Sequence, residues 1–365
     1  MINKVKYSAG AAAFLAVLAL LVLYRNEVSA GIYKGISYSL SVLIPSIMPF
    51  MFVSGLFTIT RPAKVLCYAL KPVSRYVFRV SPAAAPAIIF GLTCGYPVGA
   101  KLTADLLKQE KITKEEAGRL LAFTLNPGIP FCVLFLGGSV LKNIGAGLGI
   151  YLSITIGNLI IGSVMALRAK FPQSKGIHSS YEDFTLAIKK SADSTIRACL
   201  NMSFFIVVFW GAMALIHKCG LFASIVRMLP LPFWDGMEKA GMLSFFFEVT
   251  GGISDSVALR LPLNFFAAGL GFGGICIHLQ LFSFFPQPPL GWGRFLFWRF
   301  VHSGLSLLIY DFIGSRAAAQ AVSLEGSRVF SGIQGSFSGC LCLILLFITY
   351  VIITSKESVE KPRKT

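Results

Sequence analysis

The sequence places one carboxylate, Glu248, inside an apolar run, "LSFFFEVTGG" at residues 243–252. An ionisable side chain in such a run is costly at membrane depth, and it tends to mark a binding site or an ion pathway. We therefore expect Glu248 to bind a cation, to carry a proton, or to pair with Lys101 or Arg299. Thr250, two residues on, is a candidate donor to the same ligand.

A second polar segment, "CGYPVGAKLTAD" at residues 94–105, combines glycine and proline with charge. Glycine and proline inside a helix cost roughly 1 and 3 kcal/mol relative to alanine, so they predict a break at this point. Lys101 and Asp105 are four residues apart and can form an ion pair on one helical face. Asp105 is a candidate for ion or proton coupling, or simply the partner of Lys101. The predicted substrate-binding residues of this segment are Gly95, Tyr96, Pro97, Gly99 and Lys101.

Isolated polar residues in other apolar segments extend this set. Asn126 precedes a proline and offers an amide to a ligand, whereas His278 and Gln280 lie in "GICIHLQ". His278 is a candidate proton carrier or ligand donor, and a hydrogen bond between helices is the alternative. Arg299 and His302 share a helical face, and we expect them to contact the ligand-binding residues rather than the ligand. The alternative for Arg299 is a position near a helix end, with its head group extended to the membrane surface.

Several familiar motifs are excluded by their context. Residues 269–274 spell GxGxxG, but no strand precedes them, and helix packing is the alternative role of these glycines. "GYPVGAK" lacks the glycine spacing of a phosphate-binding loop. The cysteines and histidines form no metal-binding pattern, and no nucleophile–base or paired-carboxylate arrangement appears at a usable spacing. The sequence therefore predicts no metal, no cofactor and no enzymatic activity.

The composition identifies the class of protein that must position these residues. The chain of 365 residues is 55% hydrophobic and only 13% charged, with a mean hydropathy of +0.73. Soluble domains carry about 25% charged residues, so the composition predicts an all-α integral membrane protein. Its net charge of +17 lies in short clusters between apolar segments, as in cytoplasmic loops, and this distribution argues against nucleic-acid binding.

Apolar runs predict about eight membrane crossings in the cytoplasmic membrane. A cleaved signal peptide ending near "VSA" (28–30) is the alternative for the first crossing. Basic segments at 61–80 and 168–190 predict cytoplasmic loops, and the first of them could lie along the membrane surface as an amphipathic helix. An even number of crossings places both termini in the cytoplasm. The predicted crossings are 8–24, 35–60, 117–140, 144–168, 193–217, 263–285, 292–312 and 332–354.

Two further segments, 83–107 and 240–261, read as broken-helix hairpins that enter and leave the membrane on one side. "LTCGYPVGAKLTADLL" (92–107) is echoed by "EVTGGISDSVALRLPL" (248–263), and the segment after each hairpin is also interrupted. Three crossings per unit would invert the second copy relative to the first. Paired breaks in two inverted repeats point to a binding site near the middle of the membrane.

This organisation divides the chain into five parts. The predicted parts are an N-terminal membrane anchor (1–34), a first repeat (35–168), a cytoplasmic linker (169–190), a second repeat (191–312), and a C-terminal helix with a basic tail (313–365).

The order of the motifs resembles that of the sporulation integral membrane proteins of the YlbJ type. This sequence reads "CGYPVGAK" (94–101), "FTLNP" (123–127), "FFEVT" (246–250), "GICIHLQ" (274–280) and "RFVHSGL" (299–305). The resemblance covers about residues 35–312. It departs from the family pattern at Cys94 and Cys276, where serine is usual, and in a shortened polar stretch at "LNPGIP".

The resemblance implies two nucleoside-recognition, or gate, domains that bind a nucleoside-like or other small polar solute. It makes the chain a transporter-like protein of sporulation, with Na⁺ or H⁺ as a possible coupling ion. The alternative is a non-transporting membrane protein needed for spore assembly. Its expected partners are the lipid bilayer, the solute, and either a second copy of the chain or another sporulation membrane protein.

Overall fold

A computed structural model describes residues 2–172 and 183–314, and this part of the chain is helical with no β-strand. Short π-helical segments interrupt or follow the α-helices at Ser39–Leu43, Val73–Val77, Pro130–Val140 and Tyr310–Gly314. The helices are α1 Ile2–Leu23, α2 Arg25–Tyr38, α3 Ile44–Ile59, α4 Pro62–Ala69, α5 Ala85–Cys94, α6 Tyr96–Lys108, α7 Lys114–Phe123, α8 Ile144–Leu167, α9 Phe184–Lys218, α10 Leu221–Met228, α11 Gly236–Phe247, α12 Val249–Ala258, α13 Leu263–Phe272, α14 Gly274–Phe282 and α15 Trp292–Ile309.

Four helical runs within the described residues are long and apolar enough to cross a membrane. They are Arg25–Ile59, Ile144–Leu167, Phe184–Lys218 and Leu263–Phe282. The chain is therefore a polytopic all-α membrane protein, as its composition predicts. The other predicted crossings up to residue 312 are shorter or less apolar helices, and the one at 332–354 lies outside the described residues.

The order of elements is the same in the two halves of the described chain. A long helical run (α2–α3, then α9) is followed by a short helix (α4, then α10) and by a hairpin of two helices (α5–α6, then α11–α12). A broken helix comes next, formed by α7 and Pro130–Val140 in the first half and by α13–α14 in the second. A final unbroken helix, α8 or α15, ends each half. Both predicted hairpins and both later interruptions are therefore present.

Contacts at the helix ends show that the two copies run in opposite directions. Ser191, near the start of α9, donates a hydrogen bond of 2.7 Å to the carbonyl of Phe52, in the middle of α3. Lys218, at the end of α9, pairs with Glu27 at the start of α2 at 2.8 Å. Because α4 follows α3 and α10 follows α9, these matching helices lie at opposite ends of α9. This is the inverted arrangement that the sequence predicts.

Two of the predicted part boundaries fall inside α-helices. The boundary at 34/35 lies within α2, which begins at Arg25, and the boundary at 190/191 lies within α9, which begins at Phe184. Helix α9 has 35 residues, about 52 Å at 1.5 Å per residue, and exceeds a hydrocarbon layer of about 30 Å. Its charged first turns, which include Lys189 and Lys190, therefore extend beyond the apolar part.

Glycine lets the helices of the first hairpin meet closely. A Cβ added at Gly99 would lie 2.8 Å from the Cα of Gly91, so the two backbones touch. Thr124, at the end of α7, packs over the same point, with its carbonyl 2.7 Å from a Cβ built at Gly91. Gly99 therefore has a role in the packing of α5 against α6.

Candidate functional site

The two breaks of the first half touch each other. Gly95 separates α5 from α6 at φ +123°, a conformation that side chains rarely adopt. Gly128, in the break after α7, has φ +80°, and a Cβ there would lie 2.7 Å from the nitrogen of Gly95. Both glycines are needed because each has a positive φ, and because Gly128 has no space for a side chain.

The two breaks of the second half meet in the same way. Glu248 separates α11 from α12, whereas Gly273 and Gly274, at φ +92° and +70°, separate α13 from α14. A Cβ at Gly274 would lie 3.0 Å from the carbonyl oxygen of Phe245 and 3.5 Å from the Cα of Glu248. Each half therefore brings two broken helices together at one point.

Glu248 caps the N-terminus of α12 with its own carboxylate. Its Oε2 accepts hydrogen bonds from the hydroxyl of Thr250 at 2.5 Å and from the backbone N–H of Gly251 at 2.8 Å. The indole N–H of Trp210 donates to the Thr250 hydroxyl at 3.2 Å, which fixes that side chain. The residue is only 4% exposed, and no basic group of the described chain lies within ion-pair distance. The expected pairing with Lys101 or Arg299 is therefore absent.

A cavity of about 50 Å³ lies between the two hairpins. Five of the sequence-predicted residues line it, and they come from both halves: Tyr96, Pro97, Glu248, Thr250 and Gln280. Most of the remaining wall is apolar. Glu248 is the one acidic side chain in this lining, so the cavity is an apolar space with a carboxyl group at one end.

A cluster of side chains beside the cavity forms hydrogen bonds with the C-terminal carbonyl groups of α13. Tyr96 donates its hydroxyl to the carbonyl of Leu270 at 2.5 Å, and His278 Nε2 lies 2.9 Å from that of Phe272. Arg299 donates from Nε to the carbonyl of Phe272 at 3.0 Å and from Nη2 to that of Gly271. The last carbonyls of a helix have no partner within it and favour positive charge, which is what Arg299 supplies.

Arg299 and His302 also join the two halves. Arg299 Nη1 lies 3.5 Å from the carbonyl of Leu125, at the break after α7. The ring of His302 lies 2.8 Å from the carbonyl of Gly271 through Nδ1 and 2.9 Å from that of Ile154 through Nε2. Both side chains are 0% exposed. The alternative in which Arg299 extends to the membrane surface is therefore wrong, because its guanidinium is held in the centre by carbonyl groups.

Asn126 belongs to a matching network in the first half. Its Nδ2 donates to the carbonyl of Leu92 at 2.5 Å and to the hydroxyl of Thr155 at 3.0 Å. Asn158 donates to the carbonyl of Leu125 at 3.1 Å and lies 3.4 Å from Asn126 Oδ1. These amides satisfy the ends of α5 and α7, and they do not line the cavity.

Lys101 and Asp105 lie away from the cavity. They form the predicted ion pair, with Lys101 Nζ 3.0 Å from Asp105 Oδ2, and the Asp105 side chain is 46% exposed. Lys101 Nζ lies 3.9 Å from a Cβ built at Gly55, so the pair sits where α6 packs against α3. Gly95 forms the break itself, and Gly99 lies in the helix contact described above.

The structure adds two residues that the sequence reasoning missed, Tyr38 and Trp210. Tyr38 lines the cavity, and Trp210 supports Thr250. Both lie in long apolar helices, where an aromatic side chain is normally packing. The one available signal was the polar atom each carries, since a buried tyrosine or tryptophan usually finds a hydrogen-bond partner. Within residues 2–172 and 183–314, no group of three or more potential metal ligands comes together.

Comparison with known proteins supports the resemblance inferred from the motifs. The chain is 29% identical over 304 residues to the sporulation integral membrane protein YlbJ of Bacillus subtilis (strain 168). The match covers 73% of this chain and 72% of that protein. No protein-family model matches the chain. No solved structure matches it. The predicted resemblance to the YlbJ type is confirmed.

Proposed function

We propose that this YlbJ-like protein is a transporter-like membrane protein of sporulation that binds a small polar solute between its two hairpins. The observation that carries the proposal is the cavity, since residues from the breaks of both inverted halves line it. Broken helices at membrane depth are tolerated only where the backbone is buried in protein or lines a watery space. In this proposal the breaks exist to form the binding site.

The size of the cavity limits what the closed site holds. A water molecule needs about 10–15 Å³ by this measure, so about 50 Å³ admits a few waters or a solute of a few heavy atoms. Pockets for larger ligands span roughly 300–1,000 Å³. A nucleoside-sized solute therefore requires the hairpins to separate, and such a separation is the opening step that alternating access demands.

Glu248 gives the site its charge preference. One oxygen of the carboxylate is held by the hydroxyl of Thr250 and by the first backbone N–H groups of α12. A buried carboxylate without a cationic partner is costly, so a cationic group of the solute, a Na⁺ ion or a proton completes the site. The solute itself undergoes no chemical change in the proposed activity.

A non-transporting role in spore assembly is the second candidate. It is favoured by the number of predicted polar residues whose hydrogen bonds are made inside the protein: Tyr96, Asn126, Arg299 and His302 all bond to backbone carbonyls. Such bonds stabilise the breaks without a ligand. In either role, we propose a location in the cytoplasmic membrane with both termini in the cytoplasm.

Ligand-dependent stability of the detergent-purified protein tests the proposal. The panel holds nucleosides, nucleobases, amino acids, small amines, dicarboxylates and divalent metals, each with and without Na⁺. A ligand at 100 times its Kd stabilises the native state by about 2.7 kcal/mol. We expect a stabilising solute for the parent protein and loss of that stabilisation in Glu248→Gln, whose amide oxygen still caps α12.

Asp255→Asn is the matched control, because Asp255 lies on the same helix and bonds Ser244 rather than facing the cavity. It should keep the ligand response. Stabilisation that survives Glu248→Gln would place the ligand elsewhere in the protein. Silence of the parent protein across the whole panel would favour the structural role. A confirmed ligand would then be followed into liposome flux assays.

A further inference from the structure

The segment that follows α3 forms a helical arm with one side packed on the protein. Helix α4 continues towards the π-helical segment Val73–Val77 through a hydrogen bond of 2.8 Å from Ser74 N to the carbonyl of Leu70. Its buried residues recur at helical spacing, with Cys67 5% and Phe78 3% exposed. The remaining sides of this arm face away from the helices.

Large apolar side chains are exposed along the arm. Val65 is 67% exposed, Tyr68 54% and Tyr76 68%. Contiguous apolar exposure of this kind marks a surface that contacts a partner or a membrane. Phe171, which follows α8, extends the patch because its ring packs against Tyr76 with centroids 6.3 Å apart.

A basic stripe runs beside the apolar one. Lys64, Lys71 and Arg75 share one helical face with Tyr68, and Lys64 Nζ lies 5.9 Å from the Tyr68 ring centroid. Residues 61–80 carry five basic side chains and no acidic one. The neighbouring loop at 108–116 adds three lysines and three glutamates, so it leaves this excess unchanged.

The end of α8 adds two more positive charges to the same surface. Arg79 donates to the carbonyls of Leu167 at 3.3 Å and Ala169 at 2.9 Å, which places Arg168 and Lys170 beside the arm. Both are exposed. We use the term basic arm surface for residues 61–80 together with 168–171.

We propose that the basic arm surface lies on the membrane and binds the headgroups of anionic phospholipids. An amphipathic helix with exposed aromatic and aliphatic side chains inserts its apolar stripe into the headgroup boundary, and its lysines and arginines attract phosphate. Neither stripe alone specifies this partner. Their adjacency on one helical arm, with no acidic residue between them, matches the chemistry of an anionic lipid surface.

The matching segment of the second half provides an internal contrast. Around α10, Met228 is 82% and Phe233 95% exposed, so this segment is also apolar on its outer side. Residues 218–239, however, carry three lysine or arginine side chains and two acidic ones. It lies at the opposite end of α9, so the two arms meet opposite membrane surfaces. We expect only the basic arm surface to distinguish anionic from neutral lipid.

The test uses the full-length protein in detergent or in phosphatidylcholine nanodiscs, with phosphatidylglycerol added at increasing mole fraction. Bound lipid is counted by native mass spectrometry. The variant Lys64→Gln/Lys71→Gln should weaken phosphatidylglycerol binding on the order of fivefold per lysine removed. Both side chains are exposed, so the unfolding midpoint in phosphatidylcholine should stay unchanged.

The matched control is Lys142→Gln/Arg227→Gln, which removes the same charge at the opposite ends of α8 and α9. It should leave phosphatidylglycerol binding within about twofold of the parent. Equal weakening by the two double variants, or equal binding of the two lipids by the parent protein, would overturn the proposal. Competition by soluble glycerol phosphate at the same concentration would also overturn it, because the membrane surface would then be unnecessary.

Discussion

The first and second pairs of helix breaks have matching backbones and different charges. In the first half, Gly95 precedes α6 and provides no side-chain cap, and the ends of α5 and α7 are satisfied by the neutral amides of Asn126 and Asn158. In the second half, the carboxyl group of Glu248 caps the start of α12, and the guanidinium of Arg299 satisfies the end of α13. Both halves therefore contain the same break geometry, but only the second half has a carboxyl and a guanidinium group at its breaks.

This difference assigns separate tasks to the two halves. A break needs only a glycine conformation and partners for the exposed backbone groups, and neutral amides suffice for that. A charged group buried at a break is costly unless it is matched to the helix dipole or to a ligand. If the proposed function holds, the first half mainly supplies the shape of the binding site, whereas the second half supplies the charged side chains.

The largest expected effect comes from removing the charge that closes the second half. Arg299→Met leaves the carbonyls of Gly271 and Phe272 short of donors in a buried site, and an unsatisfied buried group costs about 1–3 kcal/mol. We expect a loss of unfolding free energy of roughly 2–4 kcal/mol. Asn158→Leu should cost only about 1 kcal/mol, because its Oδ1 has no partner to lose.

Denaturation midpoints of the two variants in the same detergent make this comparison. Arg299→Lys, which retains the charge with a different donor geometry, should fall between the parent and Arg299→Met. An equal or greater loss in Asn158→Leu would contradict the division of tasks, because the neutral half would then be as dependent on its polar network as the charged one.

The sequence predicts the breaks well because their signals are local. Gly95, Pro97 and the glycines at 273 and 274 predict a break because glycine and proline disfavour a helix interior. Glu248 is recognisable as a lone acidic residue in an apolar run. The repetition of element order, which follows from those signals, is likewise predictable, as is the ion pair of Lys101 with Asp105.

The sequence does not reveal which polar residues reach the cavity. His278 and Arg299 lie on helices beside the cavity, yet both side chains bond to a backbone carbonyl at the C-terminal end of α13. Tyr38 lies more than 200 residues from Glu248 along the chain, and both line the cavity. Such outcomes depend on how helices distant in sequence pack together, and a single sequence carries no local signal for that.

A smaller effect on unfolding free energy distinguishes the cost of a steric overlap from the cost of a left-handed backbone conformation. Gly128 and Gly220 both have a positive φ, but a Cβ at Gly128 would lie 2.7 Å from the nitrogen of Gly95, whereas nothing lies within 4 Å of one at Gly220. Gly220→Ala should cost about 1–2 kcal/mol for the left-handed conformation. Gly128→Ala should cost that amount and about 1 kcal/mol more for the overlap. Equal losses of unfolding free energy would show that Gly95 and Gly128 can move apart.

The smallest expected effect concerns the ion pair of Lys101 with Asp105, which the sequence analysis assigns to the candidate site in the first half. Asp105→Asn keeps an oxygen for Lys101, and an ion pair at this helical spacing contributes about 0.2–0.5 kcal/mol, so the unfolding midpoint should barely change. The pair lies where α6 meets α3, so a solute that depends on Glu248 should stabilise this variant as much as the parent. Loss of that stabilisation would instead mean that both halves contribute charge to the ligand, and the difference between the two pairs of breaks would then lie only in how far each charge stands from the cavity.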